Sequence, residues 1–336
     1  MSSRRYCLIT PCRDEAKHAR RTLESVTRQS ERPALWVIVD DGSKDATPAI
    51  LAEYAARHPW IRIVTRPDRG ERKLGGGVID AFYTGFDGID PDAFEYICKL
   101  DLDLDLPPGY FAGLMDRMEA EPRIGTCSGK PYFFRPGTPD TNPSFPLTDL
   151  SRLVSEKTGH ENSVGMTKFY RTICFRQIGG FVRELMWDGI DCHRCRQLGW
   201  IAVSWDDPAL RFVHLRPMGT SHKNWWTGRV RHGYGQYFMG TTPTYMLASA
   251  VYRMTRPPLV LGGVAMLYGY CRSMLRWNSR YGDDEFRGFL RRYQWACLFK
   301  GKAAATAELN ARRASRWSPA PVASNGRQQR LVRERG

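Results

Sequence analysis

The sequence predicts an α/β architecture: a mostly parallel sheet flanked by helices, followed by amphipathic helices toward the C-terminus. Short β-rich runs alternate with helical patterns through the first third of the chain, and the polar residues of chemical interest fall where those runs end. Strand, helix, strand at this rhythm implies right-handed crossovers and a sheet covered on both faces. Ligands of such sheets lie beyond the carboxyl ends of the strands.

"YCLIT" and "LWVIVD" are the first two strands, and "EAKHARRTLESVTRQ" between them has helical spacing at Ala16, Ala19, Leu23 and Val26. A second helical stretch leads to "IRIVT", then "GGGVIDAFYTGF", then "EYICKL". From Phe134 to Asn162 the text turns rich in Pro, Thr and Asp, which predicts a long surface loop of the kind that acts as a lid. "KFYRTICFRQIGGF" and "MWDGIDCHRCRQLGW" resume order. Three regions follow: an α/β domain over 1–220, a helical region over 221–311 that suits either a membrane interface or a packed helical layer, and a disordered basic tail over 312–336.

Within the second region, "PPLVLGGVAMLYGYC" is the most apolar late segment. As a helix it rises about 22 Å, short of a hydrocarbon core of ~30 Å. It therefore lies in a membrane interface or packs into a core. The net charge of +15 predicts an anionic partner: nucleic acid, an acidic membrane or a phosphorylated ligand. No groove-reading or base-stacking motif appears, so nucleic acid is not expected. Nine scattered cysteines and an N-terminus without an apolar core fit a reduced, cytoplasmic setting. The C-x-x-C of Cys192 and Cys195 has no second pair at metal spacing and reads as structural.

The acids carry the chemistry. In an extended strand Asp101, Asp103 and Asp105 share a face opposite Leu102, Leu104 and Leu106. Carboxylates that close need a positive charge between them: a hard dication, or a lysine or arginine such as Lys99, Arg72 or Lys73. "VDDGSKD" is a second acidic turn, in which Gly42 and Ser43 supply the turn and a helix cap. A carboxylate there suits the N–H of a base or the hydroxyls of a ribose. Asp188 stands at the start of a helical pattern, where the helix dipole alone favours an acid.

The order "TPCRDE", "VDDGSKD", "KLDLDLDLPPGYF", "GGF", "WDGIDCHRCRQLGW" resembles the inverting family-two glycosyltransferases of the GT-A fold, over roughly Tyr6 to Gly219. The resemblance implies a GT-A-like, nucleotide-binding sheet and transfer of a sugar from an NDP-sugar, UDP-linked by preference, to a hydroxyl. The implied acceptor is lipid-linked or a polysaccharide, in cell-envelope or exopolysaccharide synthesis, with the enzyme peripheral at the inner face of the cell membrane. Thr10 and Pro11 would line the nucleotide through their backbone, with Glu15 close by, and Asp41 would recognise the base. Asp101 and Asp103 would hold Mg²⁺ or Mn²⁺, Asp103 more directly; Asp105 departs from the family pattern and its contact with the metal stays open. Asp188 would be the general base, with Asp191 its rival three residues along. The family usually has Glu before that base, whereas here it is Trp187. His214 is a candidate metal or diphosphate ligand, and Arg229 and Arg231 are candidates for donor phosphates or an anionic acceptor.

Three alternatives remain. A polyprenyl-phosphate acceptor needs no base, because its phosphate is already ionised. A sugar nucleotidyltransferase would carry a glycine-rich phosphate loop after the first strand, and "TPCRDEAKH" contains no glycine. A non-catalytic nucleotide-sugar-binding protein would keep the pocket without turnover.

Overall fold

Strands buried on both faces organise the structure, a computed structural model that describes residues 4–68, 70, 76–138, 143–216 and 225–319. β1 (Tyr6–Cys12), α1 (Ala16–Thr27), β2 (Leu35–Asp40), α2 (Thr47–Arg57), β3 (Ile61–Thr65), α3 (Gly76–Phe86) and β4 (Tyr96–Leu100) alternate as the sequence predicts. β5 (Leu104–Asp105), α4 (Tyr110–Ala120), β6 (Ile124–Ser128), β7 (Pro131–Phe134), β8 (Leu153–Ser155), β9 (Thr167–Arg171), α5 (Thr172–Gln177), α6 (Trp187–Gln197), β10 (Ile201–Ser204) and β11 (Phe212–His214) follow. The main sheet has the order β10-β6-β9-β4-β1-β2-β3. All neighbours are parallel except β9, which runs antiparallel to both β4 and β6.

Alternation along the strands splits the core in two. Leu8, Trp36, Ile38, Tyr96 and Phe169 face one layer, where α1 and α4 bring Leu23 and Phe111. Ile9, Val37, Val39, Ile97 and Tyr170 face the other, where α3, α5 and α6 bring Phe82, Phe175 and Trp187. Cys192 and Cys195 are buried in this second layer.

Three expectations need revision. The strand carrying the aspartates does not run on: β4 ends at Leu100, the chain bends, and β5 joins a second, four-stranded sheet ordered β5-β11-β7-β8. Leu102, Leu104 and Leu106 are all buried, so hydrophobic burial still dictates the alternation, but the three carboxylates reach different partners. The loop expected from Phe134 is partly ordered, because β8 pairs antiparallel with β7 and Lys130 donates to the carbonyls of Thr158 and Gly159 at 2.8 and 2.6 Å. The tail expected from residue 312 is placed as far as residue 319: Trp317 packs edge-on to Trp200 at 5.6 Å and Arg313 donates to the Gln197 carbonyl at 2.8 Å. Residues 320–336 lie outside the described residues, as do Arg72 and Lys73.

The C-terminal helices are α7 (Trp225–Met239), α8 (Pro243–Met254), α9 (Leu261–Leu275), α10 (Asp284–Lys300) and α11 (Lys302–Arg312). The apolar segment forms α9, which packs on α7 and α8 through Met266 and Tyr270 against Tyr237, Met246 and Ala250. α7 and α10 in turn pack on α6, where Met239, Phe286 and Leu290 surround Ile190. Among the described residues no helix is long and apolar enough to cross a membrane.

Candidate active site

The carboxyl ends of β1, β2 and β4 form one rim, and β9, running the other way, starts there: Thr167 lies opposite Leu100. At β2, Asp40 accepts hydrogen bonds from the Ser43 amide at 3.0 Å and hydroxyl at 2.6 Å, which fixes the turn. Gly42 has φ of +76°, and a Cβ there would lie 2.6 Å from the Asp68 Cα, so the turn needs glycine. Asp41 is left facing the rim, with Arg66 donating to its carboxylate at 2.9 Å and Arg13 donating to its carbonyl at 3.0 Å. Thr10 is fully buried, its hydroxyl taken by the Trp36 indole N–H at 2.8 Å. Its side chain therefore serves the core, and main-chain atoms and Pro11 are what it offers to a ligand.

The three aspartates diverge. Asp101 is paired with Lys99, whose ammonium also donates to the Gly165 carbonyl at 2.9 Å. Burial raises the Asp101 pKa, opposed by Lys99 and reinforced by Asp103. The Asp103 Oδ2 accepts from Arg216 Nη2 at 2.8 Å and Nε at 3.1 Å and lies 3.6 Å from His214 Nε2. Burial would raise this group too, but His214 and Arg216 hold it at about 2. Asp105 pairs with Arg21 at 2.7 Å, away from the other two.

Arg216 also donates to Glu15 at 2.6 Å, and His214 Nδ1 lies 2.8 Å from Glu156. Burial disfavours a charged His214, yet its hydrogen bonds to Asp103 and Glu156 push its pKa up to about 9. In this arrangement both ring nitrogens of His214 face carboxylates, Asp103 on one side and Glu156 on the other. Glu15, Asp101, Asp103 and Glu156 thus face Lys99, His214 and Arg216.

One atom tests the fit of a metal. Asp103 Oδ1 is buried without a hydrogen-bond partner, a position that costs free energy unless a cation or donor meets it. Among the described residues no group of three or more His, Cys, Asp and Glu could hold an ion by itself. Mg²⁺ and Mn²⁺ in phosphate-transfer sites need only one or two carboxylates plus phosphate oxygens. The residues fit such a partial shell, with Asp103 Oδ1 as the donor in place and Asp101 beside it.

Asp188 lies on the far side of Gly165 from the Lys99–Asp101 pair. It opens α6 after Met186, whose left-handed φ of +64° is uncommon for a non-glycine residue and marks a constrained entry to the helix. Its carboxylate is exposed but closely flanked: a Cβ on Gly165 would lie 2.9 Å from its Oδ2. The same Gly165 accepts from Lys99, so one residue separates the Asp188 carboxylate from the Lys99–Asp101 pair. The surrounding protein raises the Asp188 pKa, Lys168 and Lys99 oppose that, and Asp191 adds to it. Trp187 is buried, with the ammonium groups of Lys99 and Lys168 at 5.1 and 5.7 Å from its ring centroid.

Asp191 is elsewhere. Its side chain is 1% exposed, paired with Lys168, hydrogen-bonded by Tyr170 and held by its neighbour's amide. Lys168 also donates to the Asp188 carbonyl at 2.7 Å. Asp191 thus anchors the lysine that anchors the first turn of α6. Arg229 and Arg231 are half-buried on α7; burial and the nearby Arg253 lower the Arg229 pKa, which sets that residue toward α8. Arg231 is one turn before Gly235, whose Cβ would strike Met186 at 2.6 Å, and so shares the helix face turned to α6.

Sequence reasoning missed Arg216, Glu156 and Lys168. The signal available for Lys168 was a charge set directly before the aromatic pair Phe169–Tyr170 in a strand, and for Arg216 its place two residues beyond His214. Nothing local marks Glu156.

Residues 7–185 match the model of the family described as Glycosyl transferase family 2. Among solved structures, that of GalNAc-T7 with UDP, GalNAc and Mn²⁺ is 14% identical, with 88% of this chain covered and 57% of that one, at a TM-score of 0.52. The mannosyltransferase PcManGT from Pyrobaculum calidifontis, in complex with GDP-Man and Mn²⁺, is 17% identical over 93% and 87% of the two chains, at a TM-score of 0.48. S. aureus TarS 1-349 in complex with UDP-GlcNAc is 12% identical over 93% and 89%, at 0.46. No curated protein matches the sequence.

Proposed function

The chain belongs to glycosyl transferase family 2 and has the GT-A fold, and from that premise we propose that it is a divalent-metal-dependent inverting enzyme. It moves a hexosyl group from an NDP-sugar, UDP-linked by preference, to a hydroxyl of a lipid-linked or polysaccharide acceptor on the cytoplasmic side of the membrane. The observation that carries this reading is the short chain of contacts from Asp101 through Lys99 and Gly165 to Asp188. Two carboxylates, Asp101 and the exposed Asp188, thus stand on either side of Lys99 and Gly165, a separation that suits a leaving-group side and a base side in a single displacement.

Asp41, steadied by Arg66, accepts from the base, while the backbone at Thr10 and Pro11 lines the nucleotide. Asp103 and Asp101 would hold the metal, with Glu15 tied to Asp103 through Arg216, which donates to both. A metal held there would supply Lewis-acid neutralisation of the diphosphate leaving group. Arg216 and Arg231 supply further cationic donors toward phosphate, and Arg229, turned to α8, is assigned to an anionic acceptor. On the opposite side Asp188 takes the acceptor hydroxyl's proton as its oxygen bonds to C1. The C1–O bond to the diphosphate breaks with its electron pair on the leaving oxygen, and one such displacement inverts C1. Lys168, oriented by Asp191, holds the Asp188 turn in place.

The test is a panel of NDP-sugars with Mn²⁺ or Mg²⁺, following release of nucleoside diphosphate and the anomeric configuration of the product by NMR. Inversion, with turnover lost in both Asp103→Ala and Asp188→Asn, is the expected result. Retention of configuration, or full turnover without the Asp188 carboxylate, overturns the mechanism. The arginine-rich apolar helices favour one second reading, a polyprenyl-phosphate acceptor, for which Asp188→Asn would leave transfer intact.

A further inference from the structure

We propose that the α8–α9 hairpin, with the first turn of α7, is a docking surface for an anionic lipid bilayer. The surface deepens the transferase reading, and only its purpose rests on it. A helix of a water-facing layer turns its apolar stripe inward. α9 has two apolar faces. Met266 and Tyr270 point inward to α7 and α8, while Leu261, Val264, Tyr268 and Leu275 recur at helical spacing on the outer face and are exposed.

The connection from α8 into α9 is more unusual still. Leu259, Val260 and Leu261, at 62%, 55% and 52% exposure, form its tip. Tyr252 on α8 is exposed beside it, with the Arg256 guanidinium 4.5 Å over its ring. Trp226 of α7 approaches Tyr268 at 6.4 Å and Trp225 stands edge-on to Trp226 at 5.8 Å. Exposed aromatic rings at the border of an apolar tip suit the headgroup level of a bilayer.

Charge names the occupant. From Trp225 to Gly282 the sequence holds seven arginines and no aspartate or glutamate. Among the described residues Arg253, Arg256, Arg272 and Arg276 form no ion pair; Arg253 instead caps the Pro257 carbonyl. Arg272 and Arg276 line a cavity of about 190 Å³ between α7 and α9, together with Tyr234, Ser273 and Asn278, a cradle of donors sized for a headgroup phosphate. A second copy of this chain would bring the same uncompensated positive charge to the contact, whereas an anionic membrane neutralises it.

The test is sedimentation of the full chain with vesicles of phosphatidylcholine alone or mixed with phosphatidylglycerol, at low and high salt. The expected result is binding to the mixed vesicles, about tenfold or more weaker on the neutral ones and weakened by salt. Leu259→Asp with Leu261→Asp should lower vesicle affinity at least about tenfold. Arg272→Gln and Arg276→Gln, made separately, should each lower it about fivefold. Nucleoside diphosphate release from a soluble donor should stay unchanged in all three variants. Equal binding to both vesicle types, or unchanged binding by the tip variant, overturns the proposal. So does a wild-type dimer that the tip substitutions turn into a monomer, or tighter binding to duplex DNA than to vesicles. Lost vesicle binding with intact turnover bears on this surface alone, and absent turnover with intact binding bears on the transferase reading alone.

Discussion

Gly165→Ala tests the catalytic geometry with a single methyl group. The new Cβ would lie 2.9 Å from Asp188 Oδ2, with 3.4 and 3.5 Å to the Asp188 Cβ and Cγ. An ordinary carbon–oxygen contact is about 3.3–3.6 Å, so the carboxylate oxygen must withdraw by roughly half an ångström. Because Asp188 is exposed, it can do so by rotating. Gly165 is not among the residues with positive φ, so alanine suits its backbone, and folding stability should hold or rise by about 0.4–1 kcal/mol. Catalysis is less forgiving: a misplacement of about 1 Å can cost on the order of 10²-fold, so half of that should lower kcat about tenfold. Donor KM should not move, since Gly165 offers the nucleotide side only its carbonyl, through Lys99. The assay is steady-state release of nucleoside diphosphate in the presence of acceptor, beside a thermal melt. Added to Asp188→Asn, the alanine should cost nothing more, because the group it displaces is already disabled. An unchanged kcat, or two losses that simply multiply, would refute Asp188 as the base.

Asp188→Asn alone should lower kcat by about 10²–10⁴. Since this carboxylate works deprotonated and its pKa is raised, the acid limb of kcat/KM should lie above the ordinary aspartate value of about 3.9; a limb unchanged in Asp188→Asn would assign it to another group. Lys168→Met strands the buried Asp191 charge and should cost about 3–5 kcal/mol in urea unfolding. Adding Asp191→Asn should recover part of that, and no recovery would mean the two residues are not energetically coupled. Asp41→Ala should raise donor KM about tenfold to a hundredfold with kcat little changed, as expected for a charged hydrogen bond of about 1.5–3 kcal/mol; Arg66→Met should do the same more weakly, and a fall in kcat alone would contradict a role in base recognition.

What the sequence discloses here is local. The β-rich runs, the helical spacing of Ala16 to Val26 and the acids at strand ends are short-range patterns, and they correspond to strands, to α1 and to strand-end turns of the fold. The charges that balance those acids come from far along the chain. Arg216 reaches Asp103 across 113 positions and Glu15 across 201, and Glu156 reaches His214 across 58. No periodicity encodes such pairings. The same reason explains the divided fates of the aspartates: alternation predicts a shared face, but β5 is captured by β11 in a different sheet, a tertiary event. Asp188 and Asp191 look alike on a helical wheel, and only Lys168 and Tyr170, delivered by β9, tell them apart.

The reversed strand β9 has a consequence for how this scaffold can diversify. A parallel neighbour of β4 would begin at the far edge of the sheet and bring its preceding segment away from the chemistry. Running the other way, β9 opens beside Leu100, so the connection that leads into it brings Gly165 against Lys99 and Asp188. Insertions or exchanges in that connection can reshape what the cleft admits while both anchors stay fixed, the lysine at position 99 below and the helix opening at Trp187 above. Swapping acceptors would then be a matter of rewriting one roof and leaving the foundations alone.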